Sequence, residues 1–142
     1  MATINPYLNF DGSCEEAFNF YKSVFGGEFT EMNRYNEMPD TSEFSAADAN
    51  RIMHITLPIG GDTVLMGSDN PPGMGGEAKG SSIQISIQTT DDAETDRLYN
   101  GLSAGGQITM PLEQTFWGAR FGMWIDKFGI RWMINQQINQ SA

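Results

Sequence analysis

The sequence of 142 residues predicts an α+β fold. Two strand–helix–three-strand modules form a curved eight-stranded mixed sheet around a cleft, with the helices outside. Three observations carry this. The order strand, helix, three strands runs through twice, offset by roughly 77 to 79 residues, and such internal repetition outranks other fold arguments. Each expected helix stops at a glycine pair, Gly26-Gly27 and Gly105-Gly106, which supplies a left-handed terminus. Each module ends in a hairpin, one turning at Gly60-Gly61 and the other at Asp126-Lys127-Phe128-Gly129. One helix on four strands cannot close a core alone, so the two modules are expected to share one. The whole chain then reads as a single domain, with module one over about 1–69, a linker over 70–80 and module two over about 81–142.

The elements follow in order. Ile4 to Phe10 alternates, with Ile4, Pro6, Leu8 and Phe10 on one face and Asn5, Tyr7 and Asn9 on the other. Ser13-Cys14-Glu15-Glu16 reads as a capping box, Ser13 being the N-cap and Glu16 reaching back. Ala17, Phe18, Tyr21, Val24 and Phe25 then recur at helical spacing. A strand is expected from about Glu28 to Tyr35. Residues 36–50 are polar and acidic and read as a long loop, either a lid over the cleft or a plain mobile connection. Arg51–Ile59 and Asp62–Ser68 form the first hairpin. The stretch 69–80 is rich in Gly and Pro, and its Gly73-Met74-Gly75-Gly76 precedes no helix, so it is no phosphate-binding loop.

The second module opens on Ser82 to Gln88, whose isoleucines face a helix while Ser82, Gln84, Ser86 and Gln88 face the cleft. Thr90-Asp91-Asp92 caps a helix running to about Ser103, with Ala93, Arg97, Leu98 and Leu102 along one face. A strand over 107–114 precedes the hairpin from Glu113 to Asn135. That hairpin holds all three tryptophans and three of the eight basic residues. Large aromatics there anchor either a core or a ligand wall.

Bulk properties exclude several functions. The net charge of −10, with no basic cluster, argues against nucleic acid and anionic membranes as partners. No run approaches the roughly 18 to 20 apolar residues of a membrane span. The segment Met1 to Pro6 has no signal-peptide pattern, so a cytoplasmic location is expected. Cys14 is the only cysteine, which rules out an intrachain disulfide and a Cys-rich zinc site. At a helix start its thiol is either a small packing group or an acidified one.

Several residues are candidates for a site. His54 is the only histidine and shares a face with Thr56. It reads as a histidine hydrogen-bonded in the cleft or core, as a general base near neutral pH, or as a metal ligand with Asp69 or Asp126. Arg120 shares a strand face with Gly118, Gly122, Trp124 and Asp126. It either grips a carboxylate or phosphate bidentately or pairs with Asp126 or Glu113. Met66 and Met133 on the cleft face would be apolar and adaptable. With Tyr7 and a tryptophan they suggest a pocket for a flat or greasy small molecule. The expected ligand-binding set is Asn5, Tyr7, Met66, Ser82, Gln84, Trp117, Arg120, Trp124 and Met133, with His54 as the catalytic candidate.

Three groups of segments carry a family resemblance. They are Pro6-Tyr7-Leu8-Asn9-Phe10-Asp11-Gly12 with Glu16-Ala17 and Phe20-Tyr21; His54 with Leu65-Met66-Gly67-Ser68-Asp69; and Gln114-Thr115-Phe116-Trp117-Gly118 with Asp126 to Asn135. With the paired-module plan, the chain resembles the glyoxalase, bleomycin-resistance and dihydroxybiphenyl-dioxygenase superfamily (the vicinal oxygen chelate fold), and within it the PhnB-like branch. The resemblance implies a ligand cleft, often a homodimer, and in the superfamily's enzymes one divalent metal held by His, Glu or Gln on the first, fourth, fifth and eighth strands. Those positions fall near Asn5, Met66, Ser82 and Met133. Thioethers are too soft for Mg, Mn or Fe(II), and Asn and Ser are weak neutral ligands. No metal or other cofactor is therefore expected. The resemblance leaves two main readings: a metal-independent small-molecule-binding protein, and a lyase, isomerase or dioxygenase with a displaced metal or His54 as base. A partner-binding role through a dimer face is the third.

Overall fold

A computed structural model of the chain describes residues 3–37, 45–71, 83–116 and 118–137. The chain divides into two compact units, Met1–Ala78 and Lys79–Ala142. In the first, β1 (Tyr7–Phe10) leads to α1 (Cys14–Phe25), then β2 (Glu31–Arg34), a short helix α2 (Ala46–Ala49), β3 (Ile52–Gly60) and β4 (Thr63–Asp69). In the second, β5 (Ile85–Thr89) leads to α3 (Asp92–Ser103), β6 (Gln107–Gln114), β7 (Ala119–Ile125) and β8 (Arg131–Gln137). The loop expected over 36–50 therefore carries one 3-10 turn at Tyr35–Glu37 and α2, while its residues 38–44 lie outside the described ones.

The strands hydrogen-bond as two four-stranded mixed sheets, β1-β4-β3-β2 and β5-β8-β7-β6. The hydrogen-bonded unit is thus four-stranded rather than eight-stranded. In each sheet the first strand runs parallel to the last and the other pairs are antiparallel. The two sheets repeat residue for residue at the parallel pair: Tyr7 lies opposite Met66, and Ser86 lies opposite Met133. Ser86 is therefore the counterpart of Tyr7, and Gln84, two residues earlier, is the counterpart of Asn5.

Helix α1 buries Cys14, Ala17, Phe18 and Tyr21, one face at helical spacing. Phe18 stands edge-on to Phe10 and Tyr21 at centroid distances of 6.4 and 5.5 Å. Gly67 in β4 makes room for it: a Cβ there would lie 2.6 Å from the Phe18 ring and 2.9 Å from the Leu8 carbonyl. The N-terminus of α1 departs from the expected capping box. Ser13 makes no side-chain cap bond, its backbone having left the extended conformation that a capping residue usually adopts. Asp69, at the end of β4, caps the helix instead. Its buried carboxylate accepts from Gly12 N–H (2.8 Å) and Cys14 N–H (3.0 Å) through Oδ1, and from Ile52 N–H (2.9 Å) through Oδ2. One carboxylate thus ties the helix start to β3 and β4.

In the second unit, Asp91 caps α3 as expected, its Oδ1 accepting from Glu94 N–H at 2.7 Å. The buried face of α3 is Thr95, Leu98, Tyr99 and Leu102, and the expected Ala93 and Arg97 are exposed. Thr95 is drawn inward by a hydroxyl pair with Thr89 at 2.6 Å. Trp124 and Trp132 stack with centroids 6.4 Å apart, and Tyr99 stands perpendicular to Trp124. The buried Asp126 carboxylate accepts from Phe128 N–H, Ile130 N–H and Trp132 Nε1–H, and so shapes the turn between β7 and β8.

Candidate functional site

Period two leaves each sheet a face turned away from its helix. In the first sheet this open face carries Tyr7 and Asn9 from β1, Met66 and Ser68 from β4, His54 and Thr56 from β3, and Glu31 and Asn33 from β2. Pairings of Tyr7 with Met66, Met66 with Thr56, Thr56 with Glu31 and His54 with Asn33 fix these neighbours. His54 is held at both ring nitrogens. Tyr7 Oη lies 3.4 Å from Nδ1 and Thr56 Oγ1 lies 2.9 Å from Nε2. The Glu31 carboxylate stands 4.0 Å from Nε2. Ser68 donates to Asn9 Oδ1 at 3.4 Å. The face therefore presents a hydroxyl–imidazole–hydroxyl chain beside a thioether, with Tyr7 half exposed at its end. Such a chain can donate to a ligand oxygen or accept from a ligand hydroxyl.

In the second sheet the open face carries Ser86 and Gln88 from β5, Met133 and Asn135 from β8, Phe121, Met123 and Ile125 from β7, and Met110 and Glu113 from β6. Gln88 accepts from Asn135 Nδ2 at 3.2 Å.

Register corrects two expected site residues. Met123 lies opposite Met133, and Trp124 lies opposite Trp132. Met133 and Trp124 consequently point to opposite faces, and Trp124, 1% exposed, is helix-side core rather than ligand wall. Arg120 shares that helix-side face. It donates to Asp92 Oδ1 at 3.1 Å, Asp96 Oδ1 at 2.7 Å and Gln136 Oε1 at 3.1 Å, so its fork is occupied by α3 and β8. The hydrogen-bonded Asp96 carboxylate holds its guanidinium pKa above the usual value. Its partners are Asp92 and Asp96 rather than the Asp126 or Glu113 expected.

Asn5 stands just ahead of β1, and its side-chain oxygen accepts from Val64 N–H at 3.1 Å. Gln84 is half-buried just ahead of β5. Ser82 and Trp117 lie outside the described residues. Cys14 is wholly buried, and burial, followed by the Asp69 and Glu15 charges, pushes its thiol well up, the opposite of an acidified thiol. Among the described residues no group of three or more His, Cys, Asp or Glu is placed to hold a metal ion, and no helix is long and apolar enough to cross a membrane. The sequence reading missed Glu31, Phe121, Met110 and Met123. Their cross-strand partners could have exposed them, had the register been known.

Comparison with known proteins agrees with this architecture. The family model of the Glyoxalase/Bleomycin resistance protein/Dioxygenase superfamily matches residues 3–134. Protein YjdN of Escherichia coli (strain K12) is 31% identical over 140 residues, 93% of this chain and 93% of that protein. The crystal structure of protein PA1353 from Pseudomonas aeruginosa is 38% identical with a TM-score of 0.84, covering 98% of this chain and 100% of that one. The PhnB protein of Bacillus cereus is 26% identical with a TM-score of 0.76, covering 95% and 99%. Module order, sheet topology and the family match together establish that the chain belongs to the glyoxalase/bleomycin resistance protein/dioxygenase superfamily.

Proposed function

We propose that the protein binds a small molecule without the divalent metal used by the superfamily's enzymes. One observation carries the reading: three of the four positions that the resemblance assigns to metal ligands hold Met66 and Met133 on the open faces, and Asn5 with its oxygen already accepting from Val64 N–H, which leaves Gln84, the counterpart of Asn5, as the one ligand of a usual type. Thioethers and a committed neutral amide are poor donors for a hard divalent cation. The same groups suit an apolar, flat ligand, because methionine repacks around irregular shapes. Tyr7, His54 and Thr56 would orient a ligand oxygen, and Gln84, Ser82, Trp117 and Met133 complete the proposed set. The homodimer and the cytoplasmic location belong to this proposal too. The net charge of −10 argues against a nucleic-acid partner.

Titration calorimetry with a panel of aromatic and quinone-like compounds tests it. At least one compound should bind, and Tyr7→Phe and His54→Ala should each weaken it. Stoichiometric divalent metal in protein purified without chelator would overturn the metal-free reading, and a panel without a binder would overturn the ligand reading. Light scattering tests the dimer.

A second reading, a lyase, isomerase or dioxygenase with His54 as general base, is favoured by the Tyr7–His54–Thr56 chain with Glu31 close by. Under it, His54→Ala abolishes turnover; turnover that survives the substitution sinks it.

A further inference from the structure

The open face of the second sheet holds a feature that an organic ligand does not require. Met110 lies opposite Met123, and Met123 lies opposite Met133, so three methionines form one row across β6, β7 and β8. Directly opposed residues have Cβ atoms about 4.5–5.5 Å apart. The outer two stand two strand spacings apart, roughly 10 Å, and three rotatable bonds let each outer sulfur lean over Met123. The register shifts on both sides of Met110, the kind of irregularity that re-aims a side chain while keeping the pairing with Met123. Met110 is 47% exposed and Met123 and Met133 are partly exposed, so solvent ions reach the row.

Core packing does not demand methionine here. The corresponding row of the first sheet is Glu31, Thr56 and Met66, in the same order and the same topology. A row that folds with a carboxylate and a hydroxyl in one sheet carries three thioethers in the other. Thioethers select soft cations, Cu(I) foremost, and discriminate against Mg, Ca and Mn.

We propose that Met110, Met123 and Met133 form a binding site for a soft monovalent cation of the Cu(I) type. The inference shares Met133 with the proposed organic-ligand set and otherwise does not depend on that reading. The site is a neutral all-thioether one, so its occupancy is insensitive to protonation near neutral pH.

The test is anaerobic competition for Cu(I) against bicinchoninate, followed by the loss of the coloured chelate. The wild-type chain should withdraw one equivalent. The triple variant Met110→Leu, Met123→Leu and Met133→Leu should withdraw none. Leucine keeps volume and apolarity, so the same variant should retain its thermal midpoint. If the triple variant unfolds, each single Leu variant should weaken Cu(I) retention at least tenfold. Cys14→Ser should leave the equivalent intact. A wild-type chain that withdraws no Cu(I), Leu variants that withdraw it as well as wild type, or loss of the site in Cys14→Ser would each overturn the proposal. Failure of the organic panel with Cu(I) uptake intact would refute only the organic-ligand reading.

Discussion

Replacing Asp69 should unsettle the first unit more than almost any other single change. Its carboxylate accepts three backbone N–H groups, from Gly12, Cys14 and Ile52, at 2.8, 3.0 and 2.9 Å, and the residue is 1% exposed. A hydrogen bond to a charged group contributes about 1.5–3 kcal/mol, and a buried donor left without a partner costs about 1–3 kcal/mol. Three such bonds are not strictly additive, so Asp69→Ala should cost about 3–6 kcal/mol. A domain of this kind has about 5–15 kcal/mol in total, and the midpoint should fall by roughly 10–20 °C. Asp69→Asn keeps one acceptor oxygen but sets an amide N–H against a backbone donor, which should cost about 1–3 kcal/mol. Urea denaturation followed by far-UV circular dichroism measures both, and the expected order is wild type, Asn, Ala. Tryptophan emission is the wrong probe, since all three tryptophans lie in the second unit. An Ala variant within about 1 kcal/mol of wild type would refute the idea that Asp69, rather than Ser13, caps α1.

Other expectations follow from the same packing. Cys14 should resist iodoacetamide at pH 8 in the folded state and react on unfolding, because burial raises its pKa. The sign is that of a raised folded pKa, so its contribution to stability is present below the unfolded thiol range and is lost as pH rises above it. Gly67→Ala should cost about 1–3 kcal/mol by thermal denaturation, since its Cβ would press on the Phe18 ring and the Leu8 carbonyl. The hydrogen bond from Arg34 holds the Glu15 carboxyl below its ordinary range. That pair stabilises above the unfolded Glu pKa and loses its effect as pH falls through the depressed folded value. Glu15→Gln should flatten the acid side of the stability profile, by less than about 1 kcal/mol because the pair is partly solvated.

Much of the fold was legible because period two and glycine stops are local signals. Tyr7 and Asn9 face away from α1, and Ser86 and Gln88 away from α3, as their alternation with apolar residues requires. The Gly60-Gly61 turn and the cap at Asp91 are likewise written in adjacent residues. Three features were not legible, and all depend on distant partners. Asp69 caps a helix 55 residues earlier in the chain, so nothing near Ser13 announces that its own side chain is not used. Trp124 and Met123 sit on opposite faces of one strand, and either could have met a ligand. Only the pairing of β7 with β8 sends the tryptophan to α3 and the methionine to the open face. Arg120 went astray for the same reason, because Asp92 and Asp96 sit on a helix more than 20 residues away in sequence.

The methionines also supply the most direct probe of the central claim, that a small molecule binds on the open faces. Met66, Met123 and Met133 lie there, whereas Met32 lies opposite Ile55 on the helix side. With methionine methyl groups labelled in 13C, each reports separately in a two-dimensional spectrum. Addition of a binding aromatic or quinone-like compound should shift at least one of the open-face resonances, Met66, Met123 or Met133, and leave Met32 in place. Saturable binding that moves Met32 while Met66, Met123 and Met133 stay fixed would contradict the account.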